Sequence, residues 1–216
     1  LRDSENRRNG YAFTTCTNCG PRFSVTTKFP FERANTTVSA FKMCTACQAE
    51  YANPDDKRFH SQTNSCHDCG IQLKLQQHDG RQLDGNQKEQ LQKVSELIRN
   101  GSIIALKNTN GYLLCCDANN KLAIERLRQK KQRPSKPFAL LYPSLKRIKK
   151  DFNLSWEEEN ALTSTIAPIV ILNPKESIAD LEQESIAPGL HQLGVMLPSS
   201  ALLTMLMDDL GVPVIA

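Results

Sequence analysis

The chain has 216 residues, of which 39% are hydrophobic and 23% are charged, and its formal net charge is +4. This composition excludes wholesale disorder, because enough apolar side chains are present to build a core. The longest apolar runs are far shorter than the roughly 20 residues that a membrane-spanning helix needs, so no membrane segment is expected. The first five residues show no basic segment leading into an apolar one, which favours a cytoplasmic protein.

The arrangement of the cysteines favours metal binding over disulfides. Six of the eight cysteines form three C-x2-C pairs, a spacing that is typical of metal sites. Cys115 and Cys116 lie in an apolar segment typical of buried thiols, and no chemistry is assigned to them. The three pairs are Cys16/Cys19, Cys44/Cys47 and Cys66/Cys69.

An internal repeat covers the first part of the chain. When the sequence is shifted by 50 positions, the basic pair 7–8 aligns with 57–58, and residues 16–20 align with residues 66–70. The second copy carries the middle cysteine pair upstream of its last pair. In the first copy the counterpart of that middle pair would precede the first residue, so the sequence is expected to be truncated at this end.

One structural zinc ion is predicted in the second copy. Two C-x2-C pairs with 18 residues between them supply four thiolates that can surround zinc tetrahedrally, and four sulfur ligands leave no position for a reacting water. A module this short buries little apolar surface, so the metal would supply much of its folding energy. Cys16 and Cys19 provide half of a second site. The predicted ligands of the complete site are Cys44, Cys47, Cys66 and Cys69.

Three segments of the chain are predicted to differ in structure. Residues 1–75 form a zinc-knuckle module, residues 76–86 a polar linker or hairpin, and residues 87–216 an α/β domain. In the last segment helical and strand patterns alternate, which favours a mixed or largely parallel sheet. The predicted helices are 87–100, 120–130, 144–152, 156–164 and 199–210, and the predicted strands are 102–106, 112–116, 138–142, 169–172 and 212–216.

The positive charge is concentrated in one region. Residues 121–150 hold 11 basic residues and one acidic residue, whereas residues 151–216 hold one basic and 10 acidic residues. The basic run leaves its helix at an Arg-Pro step, and prolines restrict such a segment to an extended path. In an extended chain Lys131 and Arg133 would point the same way, and together they could bind a polyphosphate.

The basic segment carries a motif of a known family. Residues 131–134, followed by residues 136–139, resemble the K-x-R-P motif of YrdC-like domains, and residues 101–118 resemble the opening strands of the same domain. Together with the cysteine array, the whole chain is similar to the HypF carbamoyltransferases of NiFe-hydrogenase maturation. The other segments that carry this resemblance are 54–60, 186–190 and 193–198.

The resemblance implies a fold and an activity. The fold would be a small four-cysteine zinc-knuckle module followed by an α/β YrdC-like domain with a mixed twisted sheet. Enzymes of that family hydrolyse carbamoyl phosphate, activate the carbamate with ATP and Mg²⁺, and pass the carbamoyl group to a HypE-type acceptor protein. Their acylphosphatase-like and carbamoyl-transfer domains lie outside this sequence.

The same resemblance assigns roles to four basic residues. Lys131 and Arg133 would act in catalysis and nucleotide binding, by stabilising the phosphates of ATP and the charge of the departing pyrophosphate. Lys136 and Lys107 are further candidates for the same pocket. The Ser-x-Asn segment of the family would follow the last residue of this sequence. The sequence departs from the family pattern at residues 108–110, at Ala167 and at residues 199–203.

Two alternatives remain open. A threonylcarbamoyl-adenylate synthase of tRNA modification shares the YrdC-like domain but does not usually carry zinc knuckles. A zinc-ribbon module without catalysis could instead bind nucleic acid, double-stranded RNA in particular, through its basic segment. Substrate-dependent exchange of pyrophosphate into ATP distinguishes both alternatives from the carbamoyltransferase.

Overall fold

A computed structural model describes residues 1–18, 22–109, 111–175, 178 and 181–216. The chain divides into two compact units, and the division falls inside a helix. The first unit comprises Leu1–Gln90 and Ser200–Leu202, and the second comprises Leu91–Ser199 and Leu203–Ala216.

The first unit contains little regular secondary structure. Helix α1 (Thr45–Ala52) begins directly after Cys44, and strands β1 (Leu75–Gln76) and β2 (Gln82–Leu83) form a short antiparallel hairpin within the predicted segment 76–86 and its border. Short 3-10 turns connect the cysteine pairs. These turns are Phe23–Val25, Arg33–Asn35 and Thr37–Ala40.

The predicted repeat is present in the backbone of this unit. Gly10 and His60, which the offset of 50 aligns, both have a left-handed conformation, with φ of 67° and 51°. Their main-chain N–H groups donate to equivalent carbonyls, those of Leu1 and Tyr51. Because a left-handed residue is uncommon outside glycine, its recurrence at His60 shows that the two copies share one turn geometry. Other paired bonds are Tyr11 N–H to Arg8 O with Ser61 N–H to Arg58 O, and Thr14 N–H to Tyr11 O with Asn64 N–H to Ser61 O.

The second unit is built on a seven-stranded mixed sheet with the strand order β3-β4-β9-β5-β8-β7-β6. Among the strand pairs of the described residues, only β5–β8 is parallel, so the mixed sheet is confirmed and the largely parallel alternative is wrong. Neighbouring strands β3 and β4 form a hairpin, and hairpins are antiparallel by construction. The strands are β3 (Ile104–Asn108), β4 (Gly111–Asp117), β5 (Ala139–Leu141), β6 (Phe152–Asn153), β7 (Val170–Pro174), β8 (Leu193–Met196) and β9 (Val214–Ile215).

The helices of this domain begin and end at recognisable local signals. Asn120 caps α3 by accepting from the N–H of Ala123, and Ser155 forms a reciprocal capping box with Glu158 at the start of α5. Such caps satisfy N–H groups that have no partner inside the helix. The helices are α2 (Gln87–Arg99), α3 (Lys121–Lys131), α4 (Leu145–Asp151), α5 (Trp156–Thr163), α6 (Gln183–Ile186) and α7 (Ala201–Leu210).

The main core lies on one face of the sheet. Ile124 and Leu127 of α3 are fully buried there against Leu140 of β5 and Val195 of β8. The sequence analysis predicted these two helical turns and strand β5, but it missed β6 and β8. Because β6 has two residues and β8 has a glycine in the middle, neither gives a clear alternating pattern.

Candidate functional sites

The four predicted zinc ligands lie together in the first unit. Their sulfur atoms are all within 4.8 Å of one another. The Cys44–Cys66 and Cys66–Cys69 sulfur distances are both 3.8 Å, and the Cys47–Cys69 distance is 3.5 Å. A tetrahedron with zinc–sulfur bonds of about 2.3 Å has edges of about 3.8 Å. The cluster therefore fits a zinc ion bound by four thiolates, with no open coordination position for a reacting water.

Local structure places each pair of ligands. Cys44 and Cys47 flank the first turn of α1, so the start of the helix fixes their spacing. The second pair closes a turn in which the N–H of Gly70 donates to the carbonyl of Cys66 at 2.9 Å. A Cβ atom on Gly70 would collide with the Tyr11 hydroxyl and with the main chain of Cys66. Glycine is required at this position by space.

The thiols of the cluster have different surroundings. A hydrogen bond from the main-chain N–H of Cys47 lowers the pKa of the Cys44 thiol to about 7. Burial raises the pKa of the Cys47 thiol to about 12, although a hydrogen bond from Arg7 acts in the opposite direction. Zinc would be expected to hold both as thiolates, because a metal ligand must be deprotonated.

Two arginines and one glutamate surround Cys47. Arg7 donates to the sulfur of Cys47 at 3.0 Å and to both carboxylate oxygens of Glu50 at 2.7 Å. Arg8 also donates to Glu50, and its Nη2 lies 3.6 Å from the same sulfur. Burial opposes ionisation of Glu50, but the hydrogen bonds from Arg7 and Arg8 hold the pKa of its carboxyl well below the usual range. The repeat aligned this basic pair with 57–58, but the sequence analysis gave it no role.

The other predicted ligands are placed differently. Cys16 is exposed and is not part of the cluster, and Cys19 lies outside the described residues. The sulfur of Cys16 accepts from the N–H of Asn18 at 3.3 Å. Cys16 lines a cleft of about 280 Å³ together with Arg22 and Lys57. The half site predicted at this pair stays a prediction.

In the second unit, the basic segment is organised around the ring of Phe138. This side chain is buried at the start of β5, and cationic groups of three residues lie near its ring. The distances to the ring centroid are 4.5 Å for Arg128, 5.3 Å for Arg133 and 6.0 Å for Lys131. Cations within about 6 Å of an aromatic ring are attracted by its electrons. The ring therefore gathers the two predicted phosphate-binding residues and a third arginine.

The extended path predicted for this segment is wrong at its beginning. Lys131 is the last residue of α3, and Gln132 follows it in a left-handed conformation with φ of 49°. This residue ends the helix, and the N–H of Arg133 then donates to the carbonyl of Arg128. The prolines act only after this turn. A helix end, rather than strand alternation, brings Lys131 and Arg133 to one ring.

Arg128 holds the segment after this turn. Its guanidinium donates to the carbonyls of Arg133 at 2.8 Å and Lys136 at 3.1 Å, and to those of Ser185 at 2.9 Å and Ile186 at 2.8 Å. Burial, and then the charge of Arg133, lower the pKa of Arg128. The sequence analysis missed this role. Every residue has a main-chain carbonyl, so the residue types of the acceptors do not reveal such a hydrogen bond.

The remaining basic candidates lie apart from this ring or face solvent. The ammonium group of Lys107 lies over the ring of Tyr112, 5.0 Å from its centroid, within the β3–β4 hairpin. Two strands lie between β3 and β5, so these two strands are about 14 Å apart. Lys136 is exposed. Within the described part of the chain, no ion pair involves Lys131, Arg133 or Lys136. Their charges are therefore available to an anion.

Family comparisons address both units. The Sua5/YciO/YrdC family model, described as telomere recombination, matches residues 96–216. The chain belongs to the Sua5/YciO/YrdC family. A second family model, the HypF finger, matches residues 1–26 and 43–76, which contain the two copies of the repeat. Together with the four-cysteine cluster, this match supports a structural zinc ion.

Within the Sua5/YciO/YrdC family, HypF proteins resemble this chain over almost its entire length, which confirms the predicted resemblance. The carbamoyltransferase HypF of Rhodobacter capsulatus is 43% identical over 209 residues, which cover 96% of this chain and 27% of that protein. The HypF of Synechocystis sp. is 40% identical over 216 residues, which cover the whole chain and 28% of that protein. The chain thus spans about a quarter of the length of the curated relatives it matches.

Solved structures agree with the predicted fold. The crystal structure of T. kodakarensis HypF matches with a TM-score of 0.92 at 38% identity, over all of this chain and 28% of that one. Full-length HypF in its phosphate- and nucleotide-bound form matches with a TM-score of 0.90 at 36% identity, over all of this chain and 27% of that one. P. abyssi Sua5 with L-threonine is similar in fold alone, with a TM-score of 0.53 at 20% identity over 62% of this chain and 39% of that one.

Among the described residues, no helix combines the length and apolar character needed to cross a membrane.

Proposed function

We propose that this chain is the zinc-knuckle and adenylating part of a carbamoyltransferase that activates carbamate with ATP. A carboxylate oxygen of carbamate attacks the α-phosphorus of ATP, the bond from that phosphorus to the β-phosphate oxygen breaks, and pyrophosphate leaves. The product, carbamoyl-adenylate, then gives its carbamoyl group to a HypE-type acceptor protein. Carbamoyl phosphate is the source of the carbamate, and Mg²⁺ accompanies the nucleotide.

The observation that carries the proposal is the set of unpaired cations at one aromatic ring. Lys131 and Arg133 lie near the face of Phe138 with no acidic partner among the described residues. Two such cations suit the triphosphate of ATP and the charge that develops on departing pyrophosphate. Mg²⁺ would bind mainly through phosphate oxygens, which is its usual mode in nucleotide sites. Lys136 would extend the same anion site.

Two further observations favour carbamate over threonylcarbamate as the substrate that is adenylated. The relatives at 34–43% identity are named carbamoyltransferase HypF, or probable carbamoyltransferase HypF, whereas P. abyssi Sua5 is similar at only 20%. The four-cysteine cluster lies in segments that match the HypF finger. Both observations support the hydrogenase-maturation enzyme over the threonylcarbamoyl-adenylate synthase.

Exchange of labelled pyrophosphate into ATP tests the proposal. The measurement uses the complete gene product that contains this sequence, with carbamate in one arm and threonine plus bicarbonate in the other. We expect exchange with carbamate alone and its loss in Lys131→Ala. Lys146→Ala, which removes an exposed lysine of α4, is the matched control and should retain exchange.

Each other outcome contradicts the proposal in a different way. Exchange with threonine alone would assign the chain to tRNA modification. No exchange with either substrate, combined with salt-sensitive RNA binding that Lys131→Ala abolishes, would support the nucleic-acid module.

A further inference from the structure

The basic pair at 7–8 contacts the thiolate cluster of the other copy of the repeat. Arg7 and Arg8 belong to the first copy, whereas Cys47 and Glu50 belong to the second. Arg8 also reaches the carbonyl of Ser65, directly before the third cysteine of the cluster, at 2.8 Å. It is almost fully buried, with 4% of its surface exposed. A buried guanidinium needs a negative partner, and the structure provides both a carboxylate and a sulfur cluster.

The reverse contact is present as well. Arg58, the repeat counterpart of Arg8, donates to the carbonyl of Thr15 at 3.4 Å, and Thr15 is the counterpart of Ser65. Lys57, the counterpart of Arg7, lines the same cleft as Cys16. Each copy therefore sends its basic pair across to the cysteine turn of the other copy.

The charge of a zinc-loaded cluster explains how the contact with the arginines would stabilise it. Four thiolates around one Zn²⁺ leave a net charge of about −2, which is costly in a partly buried site. Two guanidinium groups supply the opposite charge at hydrogen-bond distance from one sulfur. Glu50 joins both guanidinium groups, so it orients them toward that sulfur. Hydrogen bonds of this kind to metal ligands tune the strength of metal binding.

We propose that Arg7 and Arg8 are positioning residues for the zinc centre of the other repeat copy, where they offset part of the negative charge of its thiolates and retain the metal. The two copies are then one binding unit, because Arg7 and Arg8 of the first copy contact the sulfur of Cys47 in the second. The inference does not depend on the carbamoyltransferase activity. It concerns the metal alone, so it can be tested without any substrate.

Zinc affinity is the first measurement, by competition with a chromogenic chelator on the full chain. We expect Arg7→Gln to weaken zinc binding about tenfold, the range typical for loss of a hydrogen bond to a metal ligand. Arg7→Lys should recover part of the affinity, because it restores the charge without the planar fork. Arg81→Gln, which removes an exposed arginine of the β1–β2 hairpin, is the matched control for charge. Lys57→Gln is the control for repeat position, and it should leave the affinity of this cluster unchanged.

Cobalt substitution separates a charge role from a structural role. In Arg7→Gln the ligand-field bands of tetrahedral Co²⁺ should keep their intensity, while the sulfur-to-cobalt charge-transfer band should move to lower energy. Loss of a hydrogen bond raises the energy of the sulfur lone pairs, whereas simple unfolding would abolish both sets of bands. Equal zinc affinity and equal charge-transfer energy in Arg7→Gln and Arg81→Gln would overturn the proposal. Arg7 is one-third exposed, so its replacement is tolerated by the fold better than that of buried Arg8.

Discussion

The guanidinium carbon of Arg128 lies 4.5 Å from the centroid of the Phe138 ring, and the same guanidinium donates to main-chain carbonyls of two separate segments. One of these segments is the turn that carries Arg133, and the other is the end of α6, at Ile186. The N–H of Phe138 also donates to the carbonyl of Ile186 at 3.0 Å. Arg128 thus fixes the ring and the basic turn relative to each other.

Arg128→Lys should therefore weaken nucleotide binding although the charge is kept. Lysine lacks the planar fork, so several of the carbonyls lose their donor. We expect the free energy of unfolding to fall by about 1 kcal/mol, since half-buried hydrogen bonds to these carbonyls are lost. The KM for ATP in pyrophosphate exchange should rise more than kcat falls. Arg81→Lys, the same exchange at an exposed position, is the control. An unchanged KM in a folded Arg128→Lys protein would refute the positioning role.

Zinc content distinguishes the complete cluster from the half site. The purified chain should carry about one tightly bound zinc ion, since only one set of four thiolates is complete within the sequence. Cys44→Ser should abolish this zinc, whereas Cys16→Ser should change the content little. Elemental analysis after gel filtration gives the stoichiometry. Equal loss of zinc in the two variants would show that the cysteine pairs have been assigned wrongly.

The sequence predicted the features that depend on local patterns. The C-x2-C spacing identified Cys44 and its three partners, and self-alignment identified the repeat that Gly10 and His60 share. The contacts between the two copies could not be predicted. The 50-residue shift shows that the copies are similar, but it does not show whether the side chain of Arg7 contacts its own copy or the other one. Likewise, the left-handed turn at Gln132 is uncommon for glutamine, and the prolines that follow it favoured an extended path there.

The sequence predicted the mixed sheet but left a largely parallel one as an alternative, for a related reason. Alternating helices and strands usually give parallel neighbours, but here the last strand, β9, inserts between β4 and β5 and runs antiparallel to both. Strand order is decided by packing between distant parts of the chain, which a single sequence does not display.

Gly70→Ala should disrupt the zinc turn through space alone. The added Cβ would meet the Tyr11 hydroxyl and the main chain of Cys66, and neither can move without disturbing a buried contact. We expect the free energy of unfolding to fall by about 1 to 3 kcal/mol, the usual range for overpacking. Gly80→Ala is the control, because nothing lies within 4 Å of its added Cβ and only its left-handed φ of 86° is strained. Denaturant unfolding of the zinc-loaded proteins measures both, and an equal loss in the two variants would exclude steric crowding at Gly70.

The ion pair between Glu50 and the two arginines should make stability depend on pH. Burial acts to raise the pKa of this carboxyl, but the hydrogen bonds from Arg7 and Arg8 outweigh it, so the folded-state pKa lies below the ordinary value of 4.5. A depressed pKa stabilises the folded state above the ordinary value, and this contribution is lost as the pH falls toward the folded-state pKa. Glu50→Gln should therefore reduce the free energy of unfolding by about 3 kcal/mol at pH 7, because it leaves the buried Arg8 without its carboxylate.

The difference between wild type and Glu50→Gln should shrink below about pH 4.5, as the wild-type carboxyl takes up its proton. Denaturant unfolding at a series of pH values measures this difference directly. Glu125→Gln, at an exposed position of α3, should match the wild type throughout. A difference that stayed constant from pH 7 to pH 3 would mean that the Glu50 side chain stabilises the module by its shape, with no contribution from its charge.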